Sequence, residues 1–473
     1  MTRLPKVDLQ QTICAIATPR GRGGLGVIRL SGPRAIEIAD SMFKGRSRLS
    51  DADGYTVHHG MAVDPASGSE IDEVIVTLFR SPKSFSGEDL VEFSAHGGPV
   101  ILDRLLQIMA VNGAVLAAPG EFTLRAFLNG RIDLTKAEAV ADLIAAKTDE
   151  SAAAALKQLK GQLFGEIDEL RSQLLSVLAR LEIDVDFTEE DIDASEVSNL
   201  TGQIASLSTK IDQLLAGFQR GRILRDGFTV VLAGPPNAGK STLFNRLARD
   251  ERAIVTEIPG TTRDILREYI NLNGWPVCIV DTAGMRETID IVERIGVERS
   301  TAAVGSADAV IWLIDPTADL QTQLPVKEIL EADIPAIICV NKSDLDQQAA
   351  TRLTEIQAVI GGRKTIGETA FMALSAKTGD GIEPLLDTVS GWISRLGIDR
   401  HEAEIAINER HRAALVRAKS SMAAALATLQ TGGESELVAF DVQAAAAALG
   451  EIIGETTTDQ ILGEIFGNFC IGK

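Results

Sequence analysis

The chain has 473 residues, 45% of them hydrophobic and 4% aromatic, with a formal net charge of −20 at pH 7. That length exceeds one core and predicts about three domains, while the charge excludes a protein that coats nucleic acid by electrostatics alone; any RNA contact must be local or shared with a partner. No apolar run is long enough to span a bilayer, and the four cysteines, Cys14, Cys278, Cys339 and Cys470, are scattered without a CxxC pair, which argues against a disulfide framework and a structural zinc site.

Met1 to Gln10 has neither the apolar core of a signal peptide nor the Arg- and Ser-rich pattern of a transit peptide, so a cytoplasmic protein is expected. The first 50 residues lean basic, with Arg20, Arg22, Arg29, Arg34, Lys44, Arg46 and Arg48 among them, a bias that reads as a solvated face. Thr12 to Ala17 and Gly26 to Leu30 are strand-like around a glycine-rich loop, and Ser31-Gly32-Pro33 opens a helix toward Phe43. Gly21 to Gly26 has the spacing of a dinucleotide fingerprint, but it feeds the strand-like Val27 to Leu30, where a pyrophosphate needs a helix N-terminus. Ile71 to Phe79 and Leu90 to Ala95 are further strands, Ser84 to Asp89 is a turn between them, and His96-Gly97-Gly98-Pro99 leads into a helix. Residues 1–120 therefore read as an α+β domain.

Residues 121–224 read as the first half of a helical domain. Leu156, Leu159, Leu163, Ile167, Leu170, Leu174, Leu178 and Leu181 recur at helical spacing, as do Ile204, Leu207, Ile211, Leu214 and Phe218. The acidic stretch Asp184 to Asp193 between them reads as a solvated connection.

Residues 225–390 carry the chemistry. The apolar run Phe228 to Ala233 meets Gly234-Pro235-Pro236-Asn237-Ala238-Gly239-Lys240-Ser241-Thr242 and then a helix-prone segment, which is a phosphate-binding loop in its required setting. Its N–H groups curl around a polyphosphate, Lys240 reaches the β and γ oxygens, and the Ser241 hydroxyl ligates Mg2+. In Gly260-Thr261-Thr262-Arg263-Asp264 a hydroxyl, assigned to Thr262, completes the Mg2+ shell. Val277 to Asp281 is a buried strand whose terminal carboxylate suits a metal-bound water, and Thr282-Ala283-Gly284 brings a glycine backbone to a γ-phosphate. In Asn341-Lys342-Ser343-Asp344 the Asp344 carboxylate accepts from N1 and N2 of guanine, a pair of donors adenine lacks. Ser375-Ala376-Lys377 closes the base pocket. Each stretch alone is an ordinary strand-to-loop turn; in this order they predict an α/β P-loop (Ras-like) G domain that binds GTP.

Residues 391–473 return to helical texture from Glu402 to Phe466, with Ala444 to Ala448 small enough for close helix approach. The G domain thus interrupts an α-helical bundle domain and ties nucleotide state to whatever its halves hold. Thr457 to Gln460 resembles a helix start, and the last residues, Phe469 to Lys473, are expected to fray.

Taken together, the chain resembles the MnmE/TrmE family of tRNA-modifying GTPases over nearly all its length. The residues that carry the resemblance are Gly21 to Gly24 with Arg29, Gly87-Glu88-Asp89 with Glu92 and His96-Gly97-Gly98, and Pro119 to Gly130. Asp281 to Gly284 with Glu293-Arg294-Ile295-Gly296, and Cys470-Ile471-Gly472-Lys473, complete the set. The resemblance implies a homodimer built through the N-terminal domain and a 5,10-methylene- or formyl-tetrahydrofolate held there by Arg29, Glu92, Arg131 and Lys473. Arg131 stands where the family is expected to carry Lys and keeps charge but not shape. The resemblance also implies a flavoprotein partner, MnmG/GidA, in a heterotetramer-type complex that adds a carboxymethylaminomethyl or aminomethyl group to C5 of the wobble uridine (U34) of certain tRNAs. Cys470 has two open readings: a thiolate that attacks or relays at the uridine or a folate adduct, and a small hydrophobe packed on the bundle.

For hydrolysis, Met285 follows the Asp-x-x-Gly turn where a Ras-type site has its water-orienting Gln, and an arginine finger there is worth roughly 10³ to 10⁵ in rate. The resemblance implies that K+ supplies this charge, held by Asn237 with Thr256, Ile258 and Thr261 of a switch loop that orders when two G domains meet, and that Glu293 positions water. From the residues alone, Asn237 is a turn residue and Glu293 a solvated charge. Two other functions stay open: a GTPase switch for ribosome assembly, although no second phosphate loop or basic Gly-x-x-Gly clamp is present, and a GTPase scaffold for the flavoprotein.

Overall fold

The computed structural model describes residues 7–186, 194–254, 266–281, 307–319, 323–324, 334–345, 349–361, 368–396, 405–467 and 469–473. The chain forms two compact units, one of residues 1–141, 158–208 and 413–473, the other of residues 142–157 and 209–412.

In the first unit, alternating apolar residues build a seven-stranded sheet of β1 (Ile13–Ile16), β2 (Leu25–Ser31), β3 (Phe43–Gly45), β4 (Thr56–Val63), β5 (Glu70–Phe79), β6 (Leu90–His96) and β7 (Val115–Leu116). The order is β3-β4-β5-β6-β2-β1-β7, antiparallel throughout except where β1 pairs with β7. Ile28, Leu30, Val76, Leu78, Val91 and Phe93 pack with Ile38, Leu105 and Met109 of the helices Ala35–Ser41 and Pro99–Val111. The loop after Gly21 runs directly into β2, as its sequence predicts, so it is not a dinucleotide turn. β3 and β4 were not predicted: β4 carries His58, His59 and Gly60 in place of an alternating apolar pattern. Gly60 is needed there because a Cβ would lie 2.3 Å from the Lys44 carbonyl oxygen of the neighbouring strand.

The helices Gln162–Asp186 and Ser435–Ile453 pack on each other. Leu163, Ile167, Leu170, Leu174 and Leu181 are buried, as are Ala445, Ala446 and Ala448 on the small-residue face of the partner helix. Two expected core positions shift by one residue. Val177 is buried and Leu178 half-buried, while Ala155 is buried and Leu156 is 43% exposed. A stripe drawn through leucines alone drifts off a 3.6-residue face, and the smaller neighbour takes the inward place.

The last residues do not fray. Phe466 and Phe469, with ring centroids 5.5 Å apart, join Leu124, Leu134 and Leu462 in one cluster. Gly120, at φ 68°, lets that cluster close, because a Cβ would meet the Phe466 carbonyl oxygen at 2.6 Å. Gly472 lies against the Ile16 carbonyl in the same way. Burial of two aromatic rings stabilises the order of this segment against the entropy of a free end.

The second unit holds a sheet of β8 (Phe228–Ala233), β9 (Ala253–Ile254), β10 (Leu266–Leu272), β11 (Trp275–Asp281), β12 (Ala309–Ile314), β13 (Ala336–Val340) and β14 (Thr369–Ala373). Its order is β14-β13-β12-β8-β11-β10-β9, parallel from β14 to β11 and antiparallel beyond. The parallel strands are near-continuous apolar runs because both faces are covered. Leu232, Ile311, Leu313 and Ile337 pack on one side with Leu243 and Leu385; Val310, Ile314, Ile338 and Val340 pack on the other with Ile356 and Ile360. Residues 142–157 belong to this unit: Ser151 Oγ donates to the Leu224 carbonyl at 2.6 Å, and Lys147 Nζ sits 3.8 Å from the Tyr269 ring centroid. Burial lowers the pKa of that ammonium.

Candidate nucleotide site

Strand β8 ends at Ala233 beside β12, and the chain can leave it only through a glycine. A Cβ on Gly234, at φ 133°, would lie 2.4 Å from the Leu313 carbonyl oxygen. The loop then turns through Asn237 at φ 64° and Gly239 at φ 97°, and the helix Lys240–Leu247 begins. These left-handed residues wrap the loop so that the helix N-terminus faces its concave side, an arrangement suited to polyphosphate.

Lys240 is 8% exposed, and its Nζ donates to the carbonyls of Gly234 and Pro235 at 2.8 Å each. Burial lowers its pKa, opposed by the charge of Asp281. Ser241 Oγ donates to Asp281 Oδ2 at 3.0 Å, so the expected hydroxyl and carboxylate ligands of a metal shell stand together where β11 ends.

Opposite the loop, Asn341 is 2% exposed and makes the junction of the site. Its Nδ2 donates to the Ala238 carbonyl at 2.7 Å, and its Oδ1 accepts from the Ala376 N–H at 3.0 Å. Lys342 adopts φ 58°, and Asp344 Oδ1 accepts from Ser375 Oγ at 2.6 Å. The sequence motifs around residues 237–242, 281, 341–344 and 375–376 are therefore brought to one edge of one sheet. Thr242 and Lys377 lie exposed beside them. Thr256, Ile258, Thr261, Thr262, Thr282, Ala283, Gly284, Met285 and Glu293 lie outside the described residues.

In the first unit, Arg29 and Glu92 face each other across β2 and β6, with Arg29 Nε 2.8 Å and Nη2 2.7 Å from Glu92 Oε1. Arg29 Nη1 also donates to the Gly472 carbonyl at 3.3 Å, and its guanidinium carbon is 5.6 Å from the ring centroids of Phe85 and Phe122. Lys473 is thus brought near by the folded end of the chain, its N–H donating to the Cys470 carbonyl at 3.4 Å. Arg131 is exposed and donates from Nε to the Ser84 carbonyl at 3.2 Å. The reading of Cys470 as a packed hydrophobe is overturned: Cys470 is exposed, and Phe469 takes the buried place. Cys278 and Cys339 are buried in strands, and burial pushes the Cys14 thiol up to about 12.

Some residues that build these sites were given no role from the sequence, although Arg125 and Glu88 lie in stretches that carry the resemblance. Arg125 is fully buried between Glu88 Oε1 at 3.1 Å and Glu121 Oε1 at 2.8 Å, and also donates to the carbonyls of Asp8 and Gln11. The available signal was Glu121 four residues before Arg125 in an otherwise apolar helix. Asp315, directly after β12, has its Oδ2 2.5 Å from Lys342 Nζ. Burial would raise the Asp315 pKa, but hydrogen bonds from Lys342 and Thr317 hold it below the usual carboxylate range.

Comparison with known proteins decides the family. The family model for the GTP-binding protein TrmE N-terminus matches residues 12–131, and the model for the MnmE helical domain matches residues 134–470. The chain belongs to the MnmE family of tRNA modification GTPases. The tRNA modification GTPase MnmE of Acetivibrio thermocellus is 42% identical over 464 residues, 98% of this chain and 99% of that protein. Those of Geobacillus kaustophilus and Carboxydothermus hydrogenoformans are each 41% identical, again over 98% of this chain. A solved G domain of the T. maritima FeoB iron transporter matches 35% of this chain and 98% of its own at 25% identity, with a TM-score of 0.26, too low to carry weight. As a family member the chain is a GTP hydrolase, and no helix among the described residues is long and apolar enough to cross a membrane.

The substitution Gly239→Ala tests the junction at Asn341. A Cβ there would lie 2.1 Å from Asn341 Nδ2, in a backbone conformation that already disfavours a side chain. The expected outcome in a GDP titration is a loss of at least about tenfold in affinity with the melting transition retained, since an orphaned buried amide costs about 1–3 kcal/mol. Unchanged affinity would show that Asn341 does not hold the loop.

Proposed function

We propose that this chain is a cytoplasmic, homodimeric GTPase that acts on tRNA with a flavoprotein of the MnmG/GidA type. Its product is a carboxymethylaminomethyl or aminomethyl group at C5 of the wobble uridine (U34), built from a reduced-folate one-carbon unit. The proposed units are residues 1–120 for folate and dimerisation, 121–224 and 391–473 for the helical domain, and 225–390 for the G domain. The observation that carries the reading is the convergence of Arg29, Glu92 and the residues from Cys470 to Lys473, three parts of the chain far apart in sequence.

Arg29 and Glu92 fit a pterin and glutamate ligand, because one offers donors and the other acceptors beside two aromatic rings. Lys473 and Arg131 would supply further positive charge to the ligand. Cys470, exposed at the same end of the chain, is the proposed nucleophile or relay. In the G domain Ser241 and Thr262 would hold Mg2+, and Asn237, Thr256, Ile258 and Thr261 would hold K+. The Ser241 and Asp281 pair fits the first of these, and the exposed Asn237 at the bend of the phosphate loop fits the second. A bound cation there supplies the charge that an arginine finger gives elsewhere. Glu293 would position the attacking water.

Equilibrium binding of a reduced folate to the full chain, together with tRNA modification in the presence of the flavoprotein, tests the first half. The wild type is expected to bind folate and Arg29→Gln to bind it at least about tenfold more weakly, while Cys470→Ser keeps folate and GTP turnover but loses modification. Absence of folate binding by the wild type would favour a ribosome-assembly switch. The second half is tested by GTP turnover in K+ against equal Na+ at several protein concentrations. Marked K+ stimulation that rises with concentration is expected, with Glu293→Ala slowing turnover and sparing nucleotide affinity. Equal rates in the two salts would rule the cation mechanism out.

A further inference from the structure

Lys342 is in the left-handed region at φ 58°, a conformation that is strained for a non-glycine residue and persists only where the surroundings impose it. What imposes it lies on the neighbouring strand. β12 and β13 run in parallel with Ile314 opposite Val340, so the residues that follow, Asp315 and Asn341, emerge side by side. The Asn341 N–H donates to the Ile314 carbonyl at 2.9 Å and locks that register.

Asp315 itself is fixed on every side. Its N–H donates to Gln323 Oε1 at 2.8 Å and its carbonyl accepts from Gln323 Nε2 at 2.8 Å, so one side-chain amide clamps its backbone. Gln323 is 3% exposed, and its carbonyl accepts from Trp312 Nε1 at 2.8 Å, which ties the clamp to β12. Asp315 Oδ1 takes the Thr317 N–H at 2.9 Å and the Thr317 hydroxyl at 2.7 Å. That leaves Oδ2, which meets Lys342 Nζ at 2.5 Å. The carboxylate cannot turn away, so the flexible lysine stem is held by the carboxylate.

We infer that Asp315 is a positioning residue for guanine nucleotide, holding the Lys342 ammonium so that the lysine stem forms one wall of the base pocket between Asn341 and Asp344. This rests on the guanine-pocket reading of residues 341–344. Lys has four rotatable bonds and is among the side chains that lose most conformational entropy when ordered. A lysine already held by Asp315 meets that cost before the nucleotide arrives, so binding keeps more of its interaction energy. The hydrolysed bond is at the other end of the nucleotide, so the effect belongs to binding and leaves the chemical step alone.

The test uses the full chain with Asp315→Asn, Lys342→Met and the double variant, read by titration with a fluorescent GDP and by steady-state GTP hydrolysis. Asparagine keeps the acceptor toward Thr317 and replaces the carboxylate oxygen facing Lys342 with an amide NH2, which removes both the charge and the acceptor there. Asp315→Asn is expected to raise the Kd for GDP and the KM for GTP about tenfold, with kcat changed by less than about twofold. In the Lys342→Met background the same change is expected to add nothing, a coupling that a purely structural role for Asp315 would not produce. Unchanged affinity of Asp315→Asn, or effects that add in full, would overturn the inference while leaving the guanine pocket intact. Failure of the wild type to bind GDP would sink the pocket reading and this inference with it.

Discussion

The nucleotide site depends on one buried amide. Asn341 joins the phosphate loop to the base-pocket loop by donating to Ala238 and accepting from Ala376, and its own N–H is held by β12. Three segments distant in sequence are thereby fixed to one another by a side chain with almost no exposure. Each of those bonds would cost about 1–3 kcal/mol if one partner were lost and the other left buried, so the arrangement is strongly biased toward all or none. The glycine at 239 follows from the same constraint, because the Asn341 amide already occupies the space a Cβ would need.

Around that junction polar partners keep the functional side chains where they are used. Lys240 is folded onto two carbonyls of its own loop, Lys342 is held by Asp315, and Ser241 is turned toward Asp281. A phosphate group that takes the place of the carbonyls around Lys240 meets an ammonium already in position, and preorganisation of this kind lowers the cost of binding. The first unit uses the same physics with a different cation. Arg125, with no exposure, is satisfied by two carboxylates and two carbonyls, and it fixes Glu88 on the turn that leads into β6. Removal of one partner from such a cluster leaves a buried charged group short of a bond, which is costly in a buried setting.

What the sequence made legible was local. The phosphate loop, the Asp281 strand end and the Asn341 to Asp344 turn each place their functional groups within a few residues of a strand, and all were found at the expected positions. The α+β character of the first domain was also legible, from alternating runs such as Ile71 to Phe79. What escaped depends on neighbours in space. Asp315 gains its role only because β12 and β13 pair with Ile314 opposite Val340, a register no window of sequence contains. β4 escaped because its histidines and glycine hide the alternation, and the choice of Val177 over Leu178 was made by the face of a helix, not by hydrophobicity. The two readings of Cys470 stayed open because the sequence could not show that Phe469, against Phe466, already fills the buried place.

The most direct test of the central claim is the affinity of the full chain carrying Asn341→Asp for GDP, measured against the wild type at neutral pH. Aspartate keeps an acceptor for the Ala376 N–H but turns a carboxylate oxygen toward the Ala238 carbonyl in place of a donor. The account predicts a loss of about a hundredfold or more, the cost of an unsatisfied charged group in a buried site. An affinity within about twofold of the wild type would show that the phosphate loop holds its shape without Asn341 and would contradict the account.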